Sequence, residues 1–434
     1  MALFSLRAAD PVMNSPHRTV RRSLPWLLAG LSMIGPFSID AVFPAFPLIG
    51  AHFKVDDAAL QQLISVYLVM YASMSLFHGA ISDAIGRKPV IATGMLVYAL
   101  ASAGAAMSTS FPMLLACRGL QGMCAGAGLV VGRAIIRDSL EGADAQRLMS
   151  RVMMIFGVAP VIAPMVGALL LTFDGWHGIF WVLTAFTALL SLALLLLLEE
   201  THPLSRRTSF SPRPLLAGYA SFGRDRAFWP LLISSSVNFA GLFLYISSAP
   251  RIVRELLHLS AAGFPWLFMP VVFGLVGGAW LSGRMAERRS ARFTVNLGYA
   301  AMLLACALHI VLALMFPAPK LPWSMLPLTL EGIGVQLAFP TLTLLLLDRF
   351  SSQRGGISSV QAFASLLLCS AVAGVISPIL SGSMLRLALG ASALSVIGML
   401  SWWWYGSIGK RSAAGSLATA DPSVTLQAEI AEPL

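Results

Sequence analysis

Apolar residues run along this chain in long blocks, and the charged residues gather in the gaps between them. A helix that crosses a bilayer needs about 20 apolar residues. Blocks of that kind predict spans at 24–47, 59–81, 89–109, 111–135, 147–173 and 176–198. A polar stretch follows at 199–226, with Arg206, Arg207, Arg213, Arg224 and Arg226. Six more spans are predicted at 227–250, 262–283, 292–317, 321–347, 355–381 and 384–409. The expected organisation is an N-terminal segment 1–23, a six-helix bundle 24–198, a linker 199–226, a second six-helix bundle 227–409 and a tail 410–434. The tail is rich in Ala, Ser and Thr, lacks an apolar period, and is expected to be disordered. The fold class is thus an all-α membrane protein with twelve transmembrane helices in two six-helix bundles. The polar, basic start leads into a long apolar span with no small-residue cleavage site, which reads as a signal anchor rather than a removable signal peptide.

Charge tests the count of spans. With the N-terminus placed in the cytoplasm, 23 of the 29 Lys and Arg residues fall in cytoplasmic segments. Only Lys54, Arg251, Arg254, Lys320 and Arg386 fall on the other side, and Arg118 lies within a span. Cytoplasmic loops carry such an excess. One helix missed early would swap every later loop to the wrong side. Both termini are therefore expected in the cytoplasm, with the chain in the inner membrane.

Composition narrows the function. Charged residues make up 11% of the chain and hydrophobic ones 57%, whereas soluble domains carry about 25% charged residues. The net charge of +10 follows from the topology. No long basic run or binding motif points to nucleic acid. Cys117, Cys124, Cys306 and Cys369 all sit in apolar runs without zinc or redox spacing and read as packing residues. His78 and His309 have no metal-like partners in the sequence. An enzyme needs a nucleophile–base or metal constellation, and none is visible. No metal or cofactor is expected, and a monomer is.

Charges inside spans are costly and mark function by default. Asp40 lies about 16 residues into the first span, roughly 24 Å from the cytoplasmic side at 1.5 Å per residue. Arg118, in the inward-running fourth span, lies roughly 10 Å from the other side by the same rise. The two share a half of the membrane, so a direct or water-bridged pair is expected. Burial disfavours a carboxylate and a nearby cation favours it. Asp40 between these influences is a candidate proton carrier, with Arg118 as its partner. Glu331, in the tenth span between small residues and near Gln336, is a candidate for a substrate cavity or a second proton. Phe37, Tyr67, Gln121, Asn238, Phe243 and Tyr245 are further cavity candidates, with Tyr71 and Phe239 beside them. Gly79, Asp83, Gly86, Arg87 and Lys88 form a tight turn between spans two and three and read as a conformational latch. Pro160, Pro164 and Gly167 mark span five as a kinked hinge helix, and Ser377, Pro378 and Gly382 hold the corresponding place in span eleven.

At these motifs the chain resembles the major facilitator superfamily and, within it, the Bcr/CflA drug-efflux family. The turn at Gly79, Asp83, Gly86, Arg87 and Lys88 is similar to the superfamily's loop between spans two and three. Arg118, Gln121 and Gly122 are similar to its fourth span, and the run from Gly132 through Arg133 and Arg137 to Asp138 resembles that span's usual end. Ser38, Ile39, Asp40 and Pro44 match the first span of the family, and Ala163, Pro164, Gly167, Gly175 and Trp176 its fifth and the loop after it. Ser75, Ala80 and Ala84 depart from the usual Gln, Pro and Arg. The resemblance covers 24–409 in layout and is stronger in the first half. It implies proton-coupled antiport of small, chloramphenicol- or bicyclomycin-like molecules, powered by the proton gradient. A transporter of a metabolite such as an amino acid or sugar-like compound is the alternative.

Overall fold

The computed structural model describes residues 16–140, 142–286, 288–316 and 318–419. The first half comprises α1 (Pro16–Asp40), α2 (Phe46–Phe53), α3 (Asp57–Ile85), α4 (Arg87–Ala106), α5 (Phe111–Ser139) and α6 (Gly142–Leu197). The linker holds α7 (Pro212–Phe222). The second half comprises α8 (Phe228–Val237), α9 (Ala240–Ser247), α10 (Ala249–Arg251), α11 (Pro265–Ala286), α12 (Ala291–Met315), α13 (Pro327–Arg349), α14 (Arg354–Ala371), α15 (Ser377–Leu380) and α16 (Met384–Thr419). No strand occurs among the described residues. Helices satisfy their own backbone hydrogen bonds, which lipid cannot do.

Eleven segments are long and apolar enough to cross a membrane, and Ala159–Leu197, with 39 residues, is too long for one crossing. The backbone leaves helical geometry there at Asp174 and at Gly175, whose φ is 56°. That break makes two crossings of one helix and gives twelve spans among the described residues. Asp174 and Gly175 fall between the predicted fifth and sixth spans.

Three spans are less regular than the apolar blocks suggest. The first continues beyond 47 to Phe53, through a tight turn at Phe43–Ala45 that contains Pro44. The seventh runs from Phe228 to Leu256 in pieces, ending in a π-helical turn at Ile252–Leu256. The eleventh widens into a π turn at Val372–Ile376 just before Pro378. Proline lacks the N–H and crowds the carbonyl four residues back, and a widened turn accommodates both. In span five α6 stays helical through Pro160 and Pro164, and its backbone leaves helical geometry only at 174–175. The last helix reaches Thr419, past the predicted start of the tail at 410. Residues 1–15 of the N-terminal segment and 420–434 of the tail lie outside the described residues.

Within the first half α5 packs between α3 and α4, and α1 lies against α6. Within the second, α13 lies between α11 and α12, and α16 closes on α8 and α12. The halves meet where α3 runs along α14 and where α6 meets α11. One end of the assembly carries Arg87, Lys88, the linker, Arg349 and Arg354, and we call it the arginine-rich end. The linker, read from sequence only as a polar stretch, docks there through α7. The Tyr219 hydroxyl donates to the Leu76 carbonyl at 2.9 Å, and the Phe222 ring, 2% exposed, packs against Phe350 at 5.0 Å. Burial pushes the Tyr219 phenol above its ordinary pKa.

Gly167 is required by close approach: a Cβ built on it would overlap the Ala41 carbonyl just past the end of α1. We expect Gly167→Leu to destabilise the first bundle by about 1–3 kcal/mol, the usual range for overpacking. Gly79→Ala, with nothing within 4 Å of the added methyl, should be neutral. Thermal melting of the two purified variants checks this.

Candidate functional site

The largest fully buried side chain among the described residues is an arginine, Arg118. It projects from α5 towards α3 and α4. Its Nε donates to the Leu63 carbonyl at 3.0 Å, and one terminal nitrogen donates to Gln121 Oε1 at 2.7 Å. Gln121, one helical turn on, donates in turn to Ser102 Oγ at 2.7 Å, and Ser102 donates to the Tyr98 carbonyl. The guanidinium lies 4.5 Å from the centre of the Tyr67 ring, a cation–π contact that desolvation strengthens. Its second terminal nitrogen has no hydrogen-bond partner. A buried arginine is thus held by a carbonyl, an amide and a ring, all of them neutral.

Asp40 closes α1 and is 3% exposed, and its Oδ1 has no hydrogen-bond partner. The pair expected between Asp40 and Arg118 is not formed. The helical phase of α1 gives the reason. Ser38 faces the Tyr67 hydroxyl, without completing a hydrogen bond to it. Two residues further along a helix the side chain has turned by about 200°, so Asp40 points away from the Tyr67–Arg118 cluster. Sequence depth placed the two residues in one layer but carried no information on azimuth.

The remaining cavity candidates do not converge on these two. Glu331 is fully buried, and its neighbours belong to the second half. Gly241 of α9 lies against its carboxylate, near Ser395 and the Ala391 carbonyl of α16. Tyr245 donates to or accepts from His309 Nδ1 at 3.1 Å, and Asn238 Nδ2 reaches Met302 Sδ at 3.5 Å. Phe243 packs beside Phe239 with ring centres 5.9 Å apart, Phe37 packs half-buried on the core of the first bundle, and Gln336 lies against α11 near Gly278. A separate cavity of about 540 Å³ opens at the end opposite the arginines, lined by Pro44, Arg254, His258, Leu259 and Ser260.

The turn after α3 is a network of charges. Arg87 donates to Asp83 at 2.5 Å, to Ser82 Oγ at 2.6 Å and to Asp138 of α5 at 3.1 Å. Glu200, just beyond α6, accepts from the backbone N–H groups of Arg87 at 2.9 Å and Lys88 at 3.3 Å, and pairs with Arg207 at 3.8 Å. It therefore caps α4, where the helix dipole favours an anion. Gly86 has φ of 107°, and a Cβ there would overlap the Glu200 carboxylate. Gly79, Asp83, Gly86, Arg87 and Lys88 were legible as one turn in the sequence; Asp138, legible only as the end of the fourth span, and Glu200 join it from elsewhere in the chain. The signals were a carboxylate at the end of the fourth-span block and a Glu pair at the end of the sixth.

The halves are joined directly by hydrogen bonds at the end opposite the arginines. Gln61 donates to the Ser247 carbonyl at 2.9 Å and Gln62 to the Gly374 carbonyl at 3.1 Å. The hydroxyls of Ser65 and Ser370 meet at 2.9 Å, and Ser370 donates to the Ser65 carbonyl. These bonds share one strip of α3, from Gln61 to Ser65.

The helical architecture has counterparts among known proteins. The family model of the Major Facilitator Superfamily matches residues 28–378. The chain belongs to the Major Facilitator Superfamily. The uncharacterized MFS-type transporter YdgK of Bacillus subtilis is 29% identical over 84% of this chain and 91% of its own length. The bicyclomycin resistance protein homolog of Haemophilus influenzae is 25% identical over 66% of this chain and 72% of its own. Multidrug resistance protein D of Escherichia coli is 29% identical over 61% of this chain and 66% of its own. A bacterial homolog of the human lysosomal transporter Spinster shares the fold, with a TM-score of 0.67, 18% identity and coverage of 92% of this chain and 98% of that one. The Major Facilitator chain described here is accordingly a multi-pass membrane transporter and not an enzyme.

Glu200→Ala removes the cap of α4 and strands two N–H groups. We expect a loss of about 1–2 kcal/mol, read as earlier loss of helical circular dichroism on heating.

Proposed function

We propose that this transporter exports small drug-like molecules, of the chloramphenicol or bicyclomycin kind, across the inner membrane in exchange for protons. The observation that carries the reading is Asp40: a carboxyl buried in the first span, with an unpartnered oxygen and no cation bound to it. An ionised carboxylate in such a place costs several kcal/mol unless it is paired, and a proton removes that cost. Exchange of this proton against substrate would couple the two fluxes. Arg118 contributes a fixed positive charge in the same half, held ready by neutral groups. The names of the Haemophilus and Escherichia relatives support the substrate class.

The charge bias of the loops supports placing the arginine-rich end, with both termini, in the cytoplasm. The hydrogen-bonded strip of α3 then closes the route to the outside. Transport proceeds by alternating access, with the latch around Arg87 breaking and re-forming as the halves rock. The transporter works as a monomer with no bound cofactor, and the proton gradient supplies the energy.

The test is expression in an efflux-deficient host with a panel of antibiotics. The wild-type chain should raise resistance to at least one compound, and Asp40→Asn should return it to the level of the empty host while still inserting. Full export by Asp40→Asn against a gradient would exclude Asp40 as the coupling carboxyl, and no resistance to any compound would favour a metabolite substrate. A second test uses the strip between the halves. Ser65→Cys with Ser370→Cys, oxidised to a disulfide, should stop transport, and reduction should restore it.

A further inference from the structure

The second bundle encloses a file of polar groups that the sequence left unconnected. Ser234, Asn238, Gly241 and Tyr245 recur at helical spacing on α8 and α9, and Tyr299, Met302, Cys306 and His309 do so on α12. These two rows face each other: Ser234 bonds Tyr299 at 2.8 Å, Asn238 reaches Met302, and Tyr245 bonds His309. Glu331 projects from α13 into the middle of this file. It is 0% exposed, and neither carboxylate oxygen has a hydrogen-bond partner.

The surroundings of Glu331 offer it no cation. On the α9 side Gly241 lies against the carboxylate, and Tyr245 of α9 and Cys306 of α12 are near enough to feel its charge. On the α16 side Ser395 and the Ala391 carbonyl lie beside Gly241 at the same place, and on the α11 side the adjoining Gly332 packs on the Val271 and Gly274 backbone. Tyr245 and Cys306 are the titratable groups that face it, and no Arg or Lys does. An unpaired carboxylate in a site of this kind is costly, and a bound proton is the ligand that its chemistry selects.

A path leads from this site towards the end opposite the arginines. Tyr245 Oη lies 3.1 Å from His309 Nδ1. The imidazole is 3% exposed, its Nε2 has no hydrogen-bond partner, and the ring lies beside the Ser324 backbone in the loop before α13.

We propose that Glu331 is a second proton-binding site of the transporter, and that His309 and Tyr245 relay the proton between it and the opposite face. This deepens the proton-coupled reading above and rests on it. In the inward step a proton binds His309 Nε2. The Nδ1 proton passes to Tyr245 Oη while the phenol proton passes to the Glu331 carboxylate. Imidazole and phenol end neutral, with Tyr245 donating to the bare Nδ1, and Glu331 ends as the acid. Because neither Glu331 oxygen is bonded to Tyr245, the last transfer uses one bridging water or a side-chain rotation. Each bundle then holds one proton site, Asp40 in the first and Glu331 in the second.

The experiment is pH-difference infrared spectroscopy on the full chain in lipid, read in the band of protonated carboxyls. Glu331→Gln should remove a band that Asp40→Asn leaves in place. Tyr245→Phe and His309→Gln should keep the amplitude of that band but slow its appearance after a pH jump by about tenfold or more, in line with the loss of a positioned proton-transfer group. A purely structural role would not change the rate at constant amplitude. A band set unchanged by Glu331→Gln overturns the site, and an unchanged rate in Tyr245→Phe overturns the relay. Should Glu331→Gln fail to fold, dicyclohexylcarbodiimide on the unaltered chain decides the site: an adduct on Glu331 is expected, and its absence overturns the assignment. Export that survives Asp40→Asn would sink the first-bundle coupling and leave the Glu331 band untouched.

Discussion

A charge inside an apolar bundle persists only where its neighbours hold it, and this constraint organises the protein. Arg118 meets it with a carbonyl, an amide and the face of Tyr67, so the guanidinium stays in place without a carboxylate. Arg87 meets it with two carboxylates at the rim, where water reaches Asp83. Asp40 and Glu331 do not meet it with protein groups at all. A proton is the smallest partner that satisfies a buried carboxyl, which is why the unpartnered acids, rather than the paired arginines, carry the functional reading.

The two ends of the molecule use different chemistry for a related purpose. At the end opposite the arginines the halves are held by neutral hydrogen bonds from Gln61, Gln62, Ser65 and Ser370. Each such bond contributes only about 0.5–1.5 kcal/mol net, and breaking it strands no charge. A strip of this kind opens and recloses at small cost. At the arginine-rich end the contacts include ion pairs: Glu200 joins α4 to the end of α6, and Arg349 of the second half pairs with Asp225 of the linker. There the linker helix α7 bridges the halves through Tyr219 and Phe222. The spacer between the bundles thus takes part in packing.

Irregular backbone marks the same functional regions. Span one turns at Phe43–Ala45 just after Asp40, span seven is broken near Asn238, and span eleven widens beside Ser377. A helix in lipid leaves its regular geometry only where protein neighbours satisfy the freed groups. These interruptions therefore sit inside the bundles or between them, next to the polar side chains.

Much of this architecture was legible from the order of residues alone. Twelve spans, two bundles and the sidedness of the charges follow from apolar block length and from where Lys and Arg fall, because the bilayer imposes one length and one cost on every crossing helix. The charged turn was readable at Gly86 and Arg87, whose spacing is local. What tertiary structure decided was azimuth and partnership. Asp40 and Arg118 share a depth, yet Ser38, and not Asp40, faces the arginine's cluster. Glu331 faces the interior of its own bundle, and His309, which has no metal-like partners in the sequence, bonds the tyrosine beside it. Asp138 of α5 and Glu200, just past α6, join this turn from far along the chain. Depth along a helix adds up residue by residue and can be counted in sequence. The direction a side chain faces, and what meets it there, depends on how separate helices rotate against one another, which only packing determines.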